Sequence, residues 1–381
     1  MKQSVVLFLL MLLLVVGCKR EPELHLYEGV DMTFDLPLID LELDVYWDYE
    51  LSYDITYDWR AEWYYDWDEQ DIEMFGEIGY TEPTVFCLRR YYTGQKKYAP
   101  HTMVLRDYVF GTTFQGHYNW GYWDILVWND IVTLDGVQSL HFDEETSLDY
   151  VTAYTNQSMN AARYQAPRYT RSFYAPEPLF AAYSPGLEIN ENLEGFEYDE
   201  KRGVYVRKLN MVLVPVTYIY LTQVILHNNK GRITHVDGPS NLSGMARSVV
   251  LNTGVSGPDP VTVNYSSRLK FGCKMNDEVV DIIGGRLMTF GMCNQNPNGI
   301  SRGEEVKDEI RHYMDVTMQF YNGMDSTFVF DVTDQVRKRY KGGVLTVELD
   351  VNDINIPSRS GGSGFDAVVK EDEEVTHEIE M

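Results

Sequence analysis

The sequence predicts an all-β body of two tandem β-sandwich domains, and three observations carry that prediction. From Leu41 to Trp67 every odd position is apolar, while the even positions are mostly Asp, Glu, Ser, Thr or Arg. A period of two is β-structure with one face in a core and the other in water. From Thr84 onward, short apolar runs alternate with Gly, Asn, Asp and Pro turn signals, the spacing of a sandwich. All seven tryptophans lie between Trp47 and Trp128, a shift in composition that divides the chain in two.

Ahead of this body stands a leader. Lys2 supplies a positive start, and Val5 to Val16 is an unbroken apolar run of twelve. A membrane-spanning helix needs about twenty residues, so the run reads as the core of a secretory signal. Val15-Val16-Gly17-Cys18 resembles a bacterial lipobox, in which cleavage between Gly17 and Cys18 leaves Cys18 as the acylated amino terminus. An ordinary signal peptide with a chance cysteine is the competing reading. Several acyl chains, palmitate among them, would exceed the two-signal requirement for stable anchoring, at about 0.8 kcal/mol per buried CH₂. The expected location is the outer membrane, with the body at the cell surface and the membrane met through the lipid alone. The expected divisions are 1–17 signal peptide, 18–30 tether, 31–165 amino-terminal β-sandwich, 166–203 crossing segment, 204–370 carboxy-terminal β-sandwich and 371–381 acidic tail.

A net charge of −26 repels nucleic acid and anionic lipid surfaces, so neither is expected as a partner. Beyond Cys18 remain Cys87, Cys273 and Cys293. An odd count is no disulfide framework, and no spacing suggests zinc. Buried thiols packed as small hydrophobes are expected, with a Cys273–Cys293 bridge as the alternative.

The alternating stretch 41–67 would be about 90 Å long as one strand, so it must bend or break. Its acidic face could be a calcium site, but a solvated face that discourages edge pairing is the reading preferred. Strands follow at Thr84 to Tyr92, Met103 to Val109, Gly121 to Val127, Ile131 to Leu134 and Val137 to Phe142. Asn156 to Gly203, with Pro167, Pro176, Pro178 and Pro185, reads as an extended crossing that lacks ladder donors. Leu209 to Leu226 is nearly all apolar and reads as strands buried on both faces, broken at Pro215. Asn228-Asn229-Lys230-Gly231 turns the chain into Arg232 to Val236. Further strands are expected at Met245 to Leu251, Val261 to Cys273, Arg286 to Cys293, His312 to Tyr321, Thr327 to Val332 and Val344 to Val351. One helix is expected, capped by Thr333, with Arg337, Lys338, Arg339 and Lys341 in its last turn and Gly342 ending it. Phe365 to Val369 reads as a last strand.

Signatures of catalysis are missing: no G-x-S-x-G, no H-E-x-x-H and no P-loop. The eight histidines are scattered, and among 58 acids close carboxylate pairs arise by chance. Neither an enzyme nor a cofactor is expected. The ligand-binding candidates are aromatic. Trp59, Trp63, Trp67, Trp120 and Trp123 would stack on glycans if exposed, whereas core packing is the plainer account.

A resemblance joins these observations. Tyr218 to Leu226, then Gly231-Arg232-Ile233, then Asn241 to Ala246 resemble the second domain of fimbrillin-like lipoproteins. Gly116-His117-Tyr118 onward to Trp123 through Asn129 resembles the close of their first domain. The order lipobox, β-domain, β-domain and a Gly/Ser loop before an apolar strand is also similar, over nearly the whole chain. The nearest branch is a family of unknown function among lipoproteins of gut anaerobes. The resemblance implies two transthyretin-like sandwiches and a pilus component or an anchor or accessory subunit in adhesion. It also implies association with other fimbrial subunits by strand addition, after a protease has removed the first strand behind an arginine. Arg60, inside the alternating stretch, would be a poor target if paired in a strand. The alternative is a surface lipoprotein that binds glycans.

Overall fold

Alternation yields a strand at the start of the 41–67 stretch but not at its end. The structure, a computed structural model, describes residues 39–47, 59–81, 83–130, 139–144, 151–159, 171–190, 193–201, 203–296, 310–357 and 367–369, the first and last by backbone alone. The leader, Gly17, Cys18, the tether, the expected strand 131–134 and the acidic tail lie outside them. Strand β1 is Ile39–Trp47. Trp59–Ala61 is instead a short 3-10 turn, and 62–68 has no regular structure. Helix α1, Glu69–Phe75, follows. Sequence periodicity missed it because its cap is local: the Asp68 side chain accepts the Asp71 N–H and the Asp71 side chain accepts the Asp68 N–H. That reciprocal capping box stops the extended chain and starts the helix.

The next strands are β2 (Val85–Gly94), β3 (Met103–Phe110), β4 (Thr113–His117) and β5 (Gly121–Asn129). They are followed by β6 (Leu140–Asp143), β7 (Thr152–Thr155), β8 (Ser172–Tyr174), β9 (Phe180–Ile189), β10 (Glu197–Asp199) and β11 (Val204–Pro215). Eight of them form one sheet in the order β3-β2-β5-β9-β11-β1-β4, with β10 beside β11. The end strands β3 and β4 are consecutive in the chain, so the sheet curls around its own core. Phe86, Leu88, Trp123, Ile125, Val127, Phe180, Met211 and Leu213 fill that core. The expected crossing segment therefore supplies a central strand, β9. Pro185 is tolerated because it falls at a register shift opposite Trp123–Ile125, where no ladder donor is required.

The carboxy-terminal half contains β12 (Tyr218–His227), β13 (Ile233–Val236), β14 (Ser240–Ala246), β15 (Ser248–Val250) and β16 (Val255–Ser256). It continues with β17 (Pro260–Tyr265), β18 (Ser267–Met275), β19 (Glu278–Thr289), β20 (Tyr313–Phe320) and β21 (Asp325–Asp331). Helix α2 (Thr333–Lys338), β22 (Gly343–Asp350) and β23 (Ala367–Val369) complete it. A four-stranded sheet, β18-β19-β12-β22, faces a seven-stranded one, β23-β21-β20-β14-β17-β8, with β13 beside β20. Between them lie Tyr220, Val224, Leu226, Ile283, Leu287, Leu242, Val263, Met314, Val316 and Phe330, a two-sheet sandwich core.

The helix at 333 forms but is capped differently, and it ends at Lys338, so Arg337 and Lys338 are in its last turn while Arg339, Lys341 and Gly342 lie beyond it. Thr333 is its first residue, and the Asp331 carboxylate accepts both the N–H and the hydroxyl of Thr333. The break after Pro215 also forms, and β12 is buried along nine of its ten residues. In β11 burial instead alternates over its last half.

The two halves are stitched together. Strand β7 bridges β6 and β15 in a four-stranded sheet, β16-β15-β7-β6, and β8 runs parallel to β17, so two strands from 152–174 pair directly with carboxy-terminal strands. A further core spans the join, with Leu126, Trp128, Leu140, Ala181, Val216, Val249, Leu251 and Phe290.

Candidate functional site

Strand β12 is apolar on both faces because a second layer covers it. Tyr220, Val224 and Leu226 face the sandwich core, while Ile219, Leu221 and Ile225 face outward. The cover is the segment 59–80. Trp59 packs with Ile219, Leu221, Met288 and Val344. Tyr65, fully buried, packs with Ile225, Cys273, Val280 and Ile282. Gly284 makes the space: a Cβ there would stand 2.3 Å from the Tyr65 ring. The segment forms a strap across the open face of the four-stranded sheet.

Polar contacts fix its register. Buried Gln223 accepts the Tyr64 N–H at 3.0 Å and donates to the Glu62 carbonyl at 2.7 Å. The Arg286 guanidinium donates to the carbonyls of Ile78 and Gly79, both at 3.0 Å. Arg339 pairs with Glu62 at 2.5 Å, and the Tyr80 hydroxyl donates to the Thr217 carbonyl at 2.6 Å. The centre is Asp71, whose side chain is inaccessible. Its Oδ1 receives Arg268 at 2.8 Å and the Tyr65 hydroxyl at 2.7 Å, and its Oδ2 lies 3.5 Å from Lys270. Lys270 also stands 2.8 Å from Asp68, and its hydrogen bond, with the Asp71 N–H, holds the Asp68 carboxyl far below the usual range. Burial first, and then the bond to Asp71, push the Tyr65 phenol far upward, so it stays a donor.

The candidate aromatics divide between the strap and the curled sheet. Trp59 is 7% exposed, and Trp63 and Trp67 are half-buried at the strap surface. Trp63, Tyr65, Trp67 and Phe75 form a run of ring contacts, with centroids 5.6, 6.0 and 5.6 Å apart. Trp123 is 1% exposed in the curled sheet's core and donates its indole N–H to the Asn119 carbonyl at 2.8 Å. Half-buried Trp120 lies in the turn before β5, where its carbonyl accepts the Tyr92 hydroxyl and the Gln95 amide. Arg60 stands exposed in the 3-10 turn rather than in a strand.

The second feature is the slot of β1. It runs parallel to β11 over nine positions, Ile39–Tyr205 to Trp47–Leu213, and antiparallel to β4 over five, Asp40–His117 to Asp44–Thr113. An amino-terminal strand is thus hydrogen-bonded on both sides.

Among the described residues no group of three or more His, Cys, Asp or Glu could hold a metal ion. No helix there is long and apolar enough to cross a membrane. Cys87, Cys273 and Cys293 are unbridged, and burial pushes the Cys87 and Cys293 thiols up to about 12, which keeps them unreactive. Sequence reasoning missed the Asp68–Asp71 capping box and the strap's partners. The D-x-x-D spacing marked the first; nothing local marked Arg268 or Gln223, about 160 or more residues away.

No protein-family model matches the chain, and no curated protein does. Solved structures do. A candidate adhesin of Bacteroides ovatus aligns with a TM-score of 0.47 and 13% identity, over 86% of this chain and 97% of that one. A candidate adhesin of Bacteroides thetaiotaomicron aligns at 0.43 and 10%, over 83% and 93%. The fimbrial anchor protein Mfa2 of Porphyromonas gingivalis aligns at 0.39 and 12%, over 82% and 90%.

Proposed function

We propose that the chain is a lipid-anchored cell-surface protein of the fimbrillin-like type, a pilus component or an anchor or accessory subunit that works in adhesion. The setting of β1 carries this reading. A strand from just behind the leader fills a slot between β11 and β4. Without it, two edges would offer unpaired N–H and C=O groups to a strand of another subunit. An anchor that keeps β1 in place keeps Cys18 and its lipid, since the ~20 intervening residues reach up to about 70 Å when extended.

The test is Cys18→Ser, followed by fractionation and purification from native envelopes. The wild-type chain is expected in the outer membrane fraction with fimbrial proteins co-purifying, and the variant in the soluble fraction. A variant that stays membrane-bound, or a wild type that brings down no fimbrial protein, overturns the reading. A second reading, glycan binding, is favoured by the half-buried Trp63, Trp67 and Trp120; loss of glycan binding in Trp67→Ala tests it.

A further inference from the structure

The far end of the curled sheet carries an arrangement that neither the strap nor the β1 slot explains. The turn joining β2 to β3 holds Gln95, Lys96, Lys97 and Tyr98, all exposed. Tyr98 adopts a φ of +67°, a left-handed conformation that is strained for a bulky side chain, yet its ring is 89% exposed. No core gains from that ring. The turn is nevertheless fixed in place. The Gln95 amide donates to the Trp120 carbonyl at 2.9 Å, the Thr102 N–H donates to the Tyr92 carbonyl at 2.7 Å, and His101 meets Asp124 at 2.8 Å. Asp124 in turn accepts the Gly186 N–H at 2.6 Å. The Lys97 stem lies across Gly186, where an added Cβ would come within 2.8 Å of its Cε.

Charge sets this tip apart from its surroundings. The chain carries 58 acidic and 32 basic side chains, and nearby Arg89, Arg90 and Arg106 are all paired with carboxylates. Neither Lys96 nor Lys97 has a carboxylate within ion-pair distance among the described residues. The Lys97 ammonium lies 5.4 Å from the centre of the Tyr98 ring, so cation and aromatic plane form one unit.

We propose that this tip binds an acidic saccharide, with Tyr98 stacking on the C–H face of a pyranose and Lys96 and Lys97 meeting its carboxylate. A flat phenol suits a sugar ring better than a peptide backbone. A nucleic acid or an anionic bilayer would bring dense, extended charge against a body of −26 and be repelled, whereas a short uronate chain carries one charge per ring and meets the lysines at the tip. The inference goes beyond the subunit reading and does not depend on strand addition.

Calorimetry on the full chain in detergent tests it, with a galacturonate hexamer as probe and its methyl ester as the neutral match. Binding is expected to weaken about tenfold or more with the ester, in Lys96→Ala/Lys97→Ala and in Tyr98→Gly, and to fall with added salt. Tyr98→Gly relieves the backbone strain, so an unchanged melting temperature separates lost recognition from lost folding. Trp67→Ala on the strap is expected to bind as wild type. No binding of the hexamer, equal binding of the ester, or equal binding by the tip variants overturns the proposal. So does loss confined to Trp67→Ala, which would instead support the strap aromatics. A poly-glutamate peptide that competes equally well overturns the saccharide assignment. None of these outcomes touches membrane attachment or co-purification.

Discussion

Replacing Asp71 by alanine should loosen the strap while leaving the sandwich beneath it folded. The wild-type carboxylate is inaccessible and receives Arg268 at 2.8 Å, the Tyr65 hydroxyl at 2.7 Å and the Asp68 N–H at 3.0 Å. Removing one partner of a buried ion pair costs about 3–5 kcal/mol. Here the lower end applies, because Arg268 and Lys270 retain 24% and 17% exposure and Asp68 remains beside both. About 3 kcal/mol corresponds to roughly a 150-fold increase in strap opening at 25 °C. Native-state hydrogen exchange reads this directly. The Tyr64, Ile72 and Gly76 amides, hydrogen-bonded to Gln223, Asp68 and Ile72, should exchange about a hundred times faster. Amides of β14 and β20 should be unchanged. An acceleration below about tenfold on the strap, or an equal acceleration in β14, would falsify the view of Asp71 as the strap's fastening.

Two further perturbations follow. Gly284→Ala places a Cβ 2.3 Å from the Tyr65 ring and should destabilise the protein by about 1–3 kcal/mol, with Tyr65 displaced in a crystal structure of the variant; Gly272→Ala, with open space around it but φ +71°, should leave Tyr65 seated. His312 is held near 4 chiefly by burial, against 6.5 when unfolded, so the unfolded chain takes up the proton first as pH falls. Stability from this residue is full above about 6.5 and declines toward pH 4, by about 3 kcal/mol in all; urea melts of His312→Gln should show that much less acid sensitivity, and identical pH slopes would refute the assignment.

The all-β class was legible because alternation and turn residues are local signals. β2, β3, β5 and β20 lie close to where the apolar runs place them. β9 was hidden by its proline, since the bulge that makes Pro185 harmless depends on Asp124 in another strand. The 59–67 stretch misled for a different reason. Trp59 and Tyr65 do point inward, toward β12 and β19, but the segment lacks a strand's backbone partners and is held by the Gln223, Lys270 and Arg339 side chains. Apolar β12 announced burial on both faces; what covers it could not be read, because the cover precedes it by some 140 residues and its alternation reads as a strand. Of the candidate aromatics, identity was legible and exposure was not.

The strap also sets an order of events during synthesis. Trp59 to Tyr80 leaves the ribosome well before β12, β19 and β22, the surface on which it rests. Contacts such as Glu62 with Arg339, 277 residues apart, form only when nearly all the chain has arrived. Such distant closures slow folding. Until then a stretch rich in tryptophan and tyrosine stays uncovered, with its aromatic side chains open to water.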